Sequence, residues 1–367
     1  MFIKKLSLKN FRNYKQLDID LTKNINIIIG NNAQGKTSLV EGIYTLSTTK
    51  SHRTTKDTQM IRFNQDFAKL STEVLQENEI IQLNLTITKK GKNAKYNNIP
   101  ISKLSSYVGK LKTVFFAPED LELIKGAPAI RRKFLNMELG QIDPLYLHHL
   151  SNYGKILKQR NEHLKNYTET KQNELMLEVL TEQLAEPLLY ILKKRIWFLQ
   201  KLEQHAKEVH NFITKGKESI SFEYQNSMKI EQLNKENLLA KFAEQYPTDK
   251  RIHITTIGAH RDDFLIYLTN MNAHAFASQG QQRTAILSIK LAEIDLIHEE
   301  TRTYPILLLD DVLSELDASR QIKLLASTKG KTQTFITTTS VSGISKEIID
   351  ASDIFVIENW EIGDYNE

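Results

Sequence analysis

The chain has 367 residues, with 49 lysines and arginines against 44 aspartates and glutamates, a formal net charge of +5, and no cysteine. That length exceeds the ~100–200 residues typical of one domain and predicts two lobes. The lack of cysteine excludes disulfides, zinc–thiolate sites and cysteine nucleophiles, and agrees with a reducing cytoplasm. No apolar run approaches the ~18 residues of a membrane span, and Met1 to Lys23 lacks the apolar core of a signal peptide, so a soluble cytoplasmic protein with no membrane partner is expected. The small positive surplus permits a polyanionic partner.

Leu17-Asp18-Ile19-Asp20-Leu21 alternates with period two, and Ile25 to Ile29 is an apolar run suited to a buried strand, so the N-terminus reads as β-rich. A second alternation, Ile81, Leu83, Leu85 and Ile87, runs into Lys89-Lys90-Gly91-Lys92-Asn93 and predicts a hairpin with a basic tip, either a polyanion contact or a solvated end. From Leu145 to Asn211 the spacing of Leu147, Leu150, Leu157 and Leu164, and then of Leu180, Leu184, Leu188 and Ile191, predicts two antiparallel helices. After Gly258 a helix from about Gln281 to Glu299, a strand Ile306 to Leu309, a helix near Ser319 to Ser327 and a strand Thr334 to Thr337 alternate, which predicts a parallel α/β sheet.

Gly30-Asn31-Asn32-Ala33-Gln34-Gly35-Lys36-Thr37 fits the phosphate-loop pattern in full, after a strand and before a helix. Its glycines let backbone N–H groups turn toward phosphate oxygens, and the helix start adds partial positive charge. Lys36 can reach the β- and γ-phosphates of ATP, and Thr37 can give a hydroxyl to Mg²⁺. The carboxylates come from Ile306-Leu307-Leu308-Leu309-Asp310-Asp311, an apolar strand ending in two acids. Asp310 is expected to hold the Mg²⁺ shell and Asp311 to orient or activate water. Lys36 and Asp310 are separated by most of the chain, so an insertion must split the nucleotide-binding fold.

Ser278-Gln279-Gly280-Gln281-Gln282-Arg283, at the start of the helix that precedes the Ile306 strand, is a second anion-reading helix terminus. It resembles the signature motif of ABC-type ATPases, where such residues contact the γ-phosphate held by the opposite subunit. Ser278, Gly280 and Gln281 are therefore expected to act in trans. Ser314-Glu315-Leu316-Asp317 resembles the D-loop of that superfamily.

Together with Asn10-Phe11-Arg12-Asn13-Tyr14, Lys50-Ser51-His52-Arg53-Thr54, Pro118-Glu119-Asp120-Leu121, Gln159-Arg160-Asn161 and Gly258 to Asp263, these motifs make the chain similar, over nearly its whole length, to the RecF family of SMC-like ATPases. The resemblance implies an α/β P-loop ABC-type head, residues 1–120 and 255–367, with an inserted helical second lobe at 121–254. It implies an ATP- and Mg²⁺-dependent homodimer on single-stranded, gapped or junction DNA. It also implies cooperation with RecO- and RecR-like proteins to load RecA in recombinational repair, replication-fork maintenance and the SOS response. Arg12 and Arg53 are implied to approach the nucleotide.

Asp311 stands where most ABC ATPases carry a glutamate. One methylene less draws the carboxylate back by about 1 Å, and a misplacement of that size costs about 10²-fold in rate, so slow hydrolysis is expected. Thr337-Thr338-Thr339 stands where transporters have a switch histidine, and no Q-loop glutamine appears near Phe116 to Glu119. A transporter-type subunit and a non-hydrolysing module glued by ATP are the alternative functions. His260-Arg261-Asp262-Asp263 reads either as a polar turn at the lobe boundary or as a nucleotide- or DNA-facing cluster. Arg131-Arg132-Lys133 reads as a solvated helix face or a phosphate contact, and His148-His149 as surface.

Overall fold

The computed structural model describes residues 1–228, 230–341, 344 and 346–364. A hairpin of β1 (Phe2–Phe11) and β2 (Tyr14–Asp20) leads to β3 (Ile25–Ile29), the phosphate loop and helix α1 (Lys36–Thr48). A meander follows, β4 (Phe67–Gln76), β5 (Glu79–Thr88), β6 (Gly91–Tyr96) and β7 (Ile99–Ile101), and then β8 (Thr113–Phe116). The middle of the chain holds α2 (Glu122–Lys125), α3 (Pro128–Ile142), α4 (Pro144–Lys165), α5 (Lys171–Thr214), β9 (Ile220–Gln225) and α6 (Lys235–Ile252). The last third runs β10 (Asp263–Leu268), β11 (Met271–Asn272), α7 (Ala273–Phe276), α8 (Gln279–Thr301), β12 (Ile306–Asp310), α9 (Ala318–Thr328), β13 (Thr334–Thr338), α10 (Lys346–Asp350), β14 (Ser352–Glu358) and β15 (Glu361–Asp364).

Two six-stranded sheets form the head. One is antiparallel, in the order β2-β1-β4-β5-β6-β7; the other, β15-β14-β3-β13-β12-β8, is parallel except for the β14–β15 hairpin. Helix α1 lies between them and is buried along almost its whole length, because its apolar residues meet one sheet on each side. The parallel strands β3, β12 and β13 show no alternation of buried and exposed residues, as strands covered on both faces must.

The helical part is started by side-chain caps. Asp143 accepts from the N–H groups of Leu145 and Tyr146 ahead of α4, and Thr170 accepts from Asn173 at the start of α5. With 44 residues α5 extends roughly 66 Å. It runs through Pro187 without ending, since tertiary burial of Leu184, Leu188 and Ile191 outweighs the lost hydrogen bond. One apolar core joins α4, α5 and α6 to α8 and the underside of the parallel sheet.

Strand β9 lies inside the segment expected to be helical. Its Ile220, Phe222 and Tyr224 alternate with Ser221, Glu223 and Gln225, and it pairs antiparallel with β10. The short period-two signal sits between two much longer helices, which is why the helical pattern masked it.

Arg160 pins the helices together from the middle of that core. It is fully buried, donates to Asp249 at 2.9 Å, to Thr255 at 2.6 Å and to Thr181 at 3.0 Å, and lies over the Phe242 ring. Lysine can satisfy only part of this fork, so Arg160→Lys is expected to cost about 2 kcal/mol in urea unfolding. A loss under about 0.5 kcal/mol would show that the guanidinium geometry is dispensable.

The basic tip of the β5–β6 hairpin is smaller than expected. Lys92 turns inward, pairing with Asp57 at 2.6 Å and donating to the Thr49 carbonyl at 2.5 Å, whereas Lys89 and Lys90 stay exposed at the turn.

Candidate functional site

The phosphate loop connects the C-terminal end of β3 to α1, in the position that open parallel sheets use for ligands. Gly35 holds φ +116°, and a Cβ there would lie 2.8 Å from the Tyr14 hydroxyl, which itself donates to the Gly35 carbonyl. Gly30 is excluded from any larger residue by the Ile357 carbonyl, 2.5 Å from where its Cβ would stand. Ala33 adopts φ +66° between them. Asn31 and Asn32 lie on the exposed rim, and Gln34 accepts from the Asn359 N–H of the β14–β15 turn.

The Lys36 ammonium curls over its own loop, donating to the carbonyls of Gly30 at 2.6 Å and Asn31 at 2.9 Å. Burial pulls its pKa down, and Asp311 and Asp310 oppose that shift. Those carbonyl bonds can be exchanged for phosphate oxygens with little movement of the chain.

Strand order brings the acids to the loop. β12 lies next but one to β3, with β13 between them, so Asp310 at its C-terminal end faces the start of α1. Thr37 donates to Asp310 Oδ1 at 3.0 Å. Burial raises the Asp310 pKa, against the hydrogen bonds from Thr337 and Thr37, and the charges of Glu119 and Asp311 push it the same way. A hydroxyl and a carboxylate crowded by like charge are the hard oxygen donors that suit Mg²⁺ beside phosphates. No cluster of three or more His, Asp or Glu side chains that could hold a metal unaided occurs among the described residues. The pair thus fits an ion that takes most of its remaining ligands from phosphate and water.

No local pattern gives Thr337 a role, since it stands in the stretch where transporters carry a switch histidine and this chain has only threonines. The residue is fully buried at the end of β13, in register with Asp310. Its hydroxyl donates to Asp310 Oδ1 at 2.7 Å and accepts from the Asp311 N–H at 2.9 Å. Asp311 sits at φ +55°, a conformation L residues avoid unless held, and Ser314 donates to its carbonyl at 2.7 Å.

Ser278, Gly280 and Gln281 are elsewhere. Ser278 caps α8, its hydroxyl accepting from Gln281 N–H while Gln281 answers the Ser278 N–H, and the Gln281 amide donates to Glu218. None of these bonds reaches the phosphate loop. Ser278 is exposed, a Cβ on Gly280 would meet nothing, and nearby Phe276 is 69% exposed. Arg12 and Arg53 are also turned away from the loop: Arg12 makes a two-pronged pair with buried Glu41 of α1, and Arg53 lies 3.7 Å from the same carboxylate.

The remaining charged motifs resolve into structural ties. Arg131 is buried and bidentate to Asp263, Arg132 donates to the Asp262 carbonyl, and Asp262 accepts from Tyr224. Arg131 is therefore neither a solvated face nor a phosphate contact. His260 bonds Tyr153 and the Thr255 carbonyl, and burial holds its pKa down at about 4, so it is neutral. His149 stacks on Tyr190.

Residues 2–359 match the family model described as the RecF/RecN/SMC N terminal domain. The chain is 48% identical over 367 aligned residues, covering 99% of both chains, to the DNA replication and repair protein RecF of Listeria monocytogenes serotype 4b (strain CLIP80459). The chain belongs to the RecF family. The RecF of Bacillus subtilis (strain 168) is 47% identical to it over 98% of this chain and 99% of its own. Among solved structures, the recombination mediator protein RecF-ATP of the RecFOR pathway superposes with a TM-score of 0.91 at 32% identity, covering 100% of this chain and 98% of that one. An Smc head domain derived from Pyrococcus furiosus matches at TM-score 0.55 and 14% identity, which is a likeness of fold, and the P-loop ABC-type α/β head is that shared fold. Among the described residues of this RecF-family chain, no helix is long and apolar enough to cross a membrane.

Proposed function

We propose that the chain is an ATP-dependent DNA-binding protein of recombinational repair. Two copies close head to head on DNA, each nucleotide lying between the phosphate loop of one copy and the Ser278 helix start of the other. The observation that carries this reading is the division of the site within one chain. Lys36, Thr37, Asp310 and Asp311 gather at one sheet end, while the other phosphate-reading residues face solvent beside an exposed phenylalanine.

Lys36 and the loop N–H groups bind the β- and γ-phosphates, Thr37 and Asp310 hold Mg²⁺, and Asp311 orients the attacking water. Held back by its short side chain, Asp311 makes hydrolysis slow, so ATP serves as clamp and timer. The two-part head, residues 1–120 and 255–367, carries the helical lobe at 121–254. Single-stranded, gapped or junction DNA is the polyanion, in the cytoplasm, and RecO- and RecR-like proteins are the partners in loading RecA. Relatives named for DNA replication and repair support this over the transporter alternative.

Mixing two inactive chains tests the shared site. Lys36→Ala and Ser278→Arg are each expected to be inactive, and an equal mixture should regain roughly a quarter of parental ATPase activity through the one intact site of each mixed dimer. No recovery would remove the shared-site reading. DNA contact adds a second check: affinity for gapped DNA should fall steeply between about 50 and 200 mM salt. An affinity unchanged over that range would remove the phosphate contacts.

A further inference from the structure

We propose that the cleft between the head and helices α3 and α4 is a docking site for an acidic peptide segment of a partner protein, one carrying an apolar side chain among its carboxylates. The cleft has a volume of about 690 Å³. Lys50, Lys92, Arg132, Lys133 and Arg195 all line it, and no aspartate or glutamate does, in a chain that has 44 of them. Lys92 is answered from behind by Asp57, and Arg195 lies 3.8 Å from Asp262. Lys50, Arg132 and Lys133 have no carboxylate within 4.0 Å among the described residues. Burial, then the charges of Lys92 and Lys133, pull the Lys50 pKa down, and the charge of Asp57 opposes them without cancelling the shift.

A separate observation indicates close approach. Gly154 stands in the middle of α4 and lines the cleft, where glycine weakens a helix relative to alanine. Gly140, on α3 in the same cleft, has a packing reason: a Cβ there would lie 2.8 Å from Leu147. A Cβ on Gly154 would meet nothing within 4 Å. The free protein gives no cause for this glycine, whereas a chain laid against α4 would.

The floor favours a peptide over a nucleic acid strand. Leu104, Val108, Met137, Leu150 and Leu157 supply aliphatic surface. The aromatic ring beside them, Tyr153, is only 3% exposed, with its hydroxyl bound to His260. Bases need an accessible ring to stack on, while a leucine or phenylalanine side chain between two carboxylates satisfies both floor and rim.

Selection of random twelve-residue peptides displayed on phage against the full chain without nucleotide tests this independently of the ATP reading. Enrichment of acidic peptides with an apolar residue is expected. A fluorescein-labelled copy of the enriched peptide should lose about tenfold in affinity with the Lys50→Glu/Lys133→Glu chain. Gly154→Ala should melt about 2 °C higher than the parent, which proves it folded, and yet bind the peptide several-fold more weakly. Three results would overturn the proposal: no acidic peptide enriched, affinity unchanged in both variants, or a labelled dT12 strand that the Lys50→Glu/Lys133→Glu chain loses while the peptide is retained.

Discussion

A Thr337→Val chain is expected to bind ATP with parental affinity and to cleave it about 10²-fold more slowly in a single turnover. Valine keeps the shape of the buried side chain and deletes the one oxygen that touches both acids. Without it Asp310 loses its shorter hydrogen bond, and the part-buried Asp311 N–H loses its acceptor, so the strained φ +55° geometry is held less firmly. The phosphate loop, to which the proposed function assigns most of the contact to the nucleotide, is untouched, so binding and chemistry should separate. Thr337→Ser restores the hydroxyl and should recover most of the rate. A Thr337→Val chain that turns over ATP within about threefold of the parent, or one that loses ATP affinity in step with rate, would show that Thr337 only packs.

Lys290→Met is expected to lower stability by about 3–5 kcal/mol at pH 8 and by clearly less at pH 6. Lys290 is buried on α8 at 3.3 Å from Asp120 and 3.4 Å from Glu293, with Glu138 close by on α3. One cation thus faces three carboxylates. Burial raises the pKa of all three, Glu138 from 4.5 to about 7, with the Lys290 charge opposing the rise in each case. A carboxyl whose folded pKa is raised keeps its proton in the native state after the unfolded chain has released it. Stability therefore falls as pH rises from about 4.5 through about 7, by at most ~1.4 kcal/mol per pH unit for that group. Removing the lysine pushes these pKa values higher still and extends the loss to higher pH. Urea unfolding at pH 6, 7 and 8 reads the effect, and Glu138→Gln should flatten the parental pH dependence. A deficit equal at all three pH values would mean that the cluster is not the source.

The phosphate loop, the strand that ends in Asp310-Asp311 and the α8 helix start were all legible because each is a local pattern: fixed spacing, a run of apolar residues, a capping serine followed by a glutamine three residues on. Backbone geometry over eight or ten residues decides such features, so they survive without a tertiary context. The long helices were legible for the same reason, since a stripe repeated over forty residues leaves little freedom. Strand β9 was not, because six residues of alternation cannot compete with that signal, and it takes β10, far along the chain, to complete its hydrogen bonds.

By itself, then, the order of residues marked out the loop Gly30 to Thr37 with its flanking strand and helix, and a second strand, ending in Asp310, far along the chain. Only the tertiary structure decided which polar side chains meet. Arg131 belongs to Asp263, Arg12 and Arg53 lie against Glu41, and Lys92 against Asp57, so charges that looked available to a polyanion meet carboxylates of the protein itself. Thr337 reaches both acids because β13 lies beside β12 in register, and Lys50 approaches Lys133 because α3 folds back over the end of α1. A hydrogen bond or an ion pair depends on distances of a few ångströms between residues tens to hundreds of positions apart, and no local spacing encodes that.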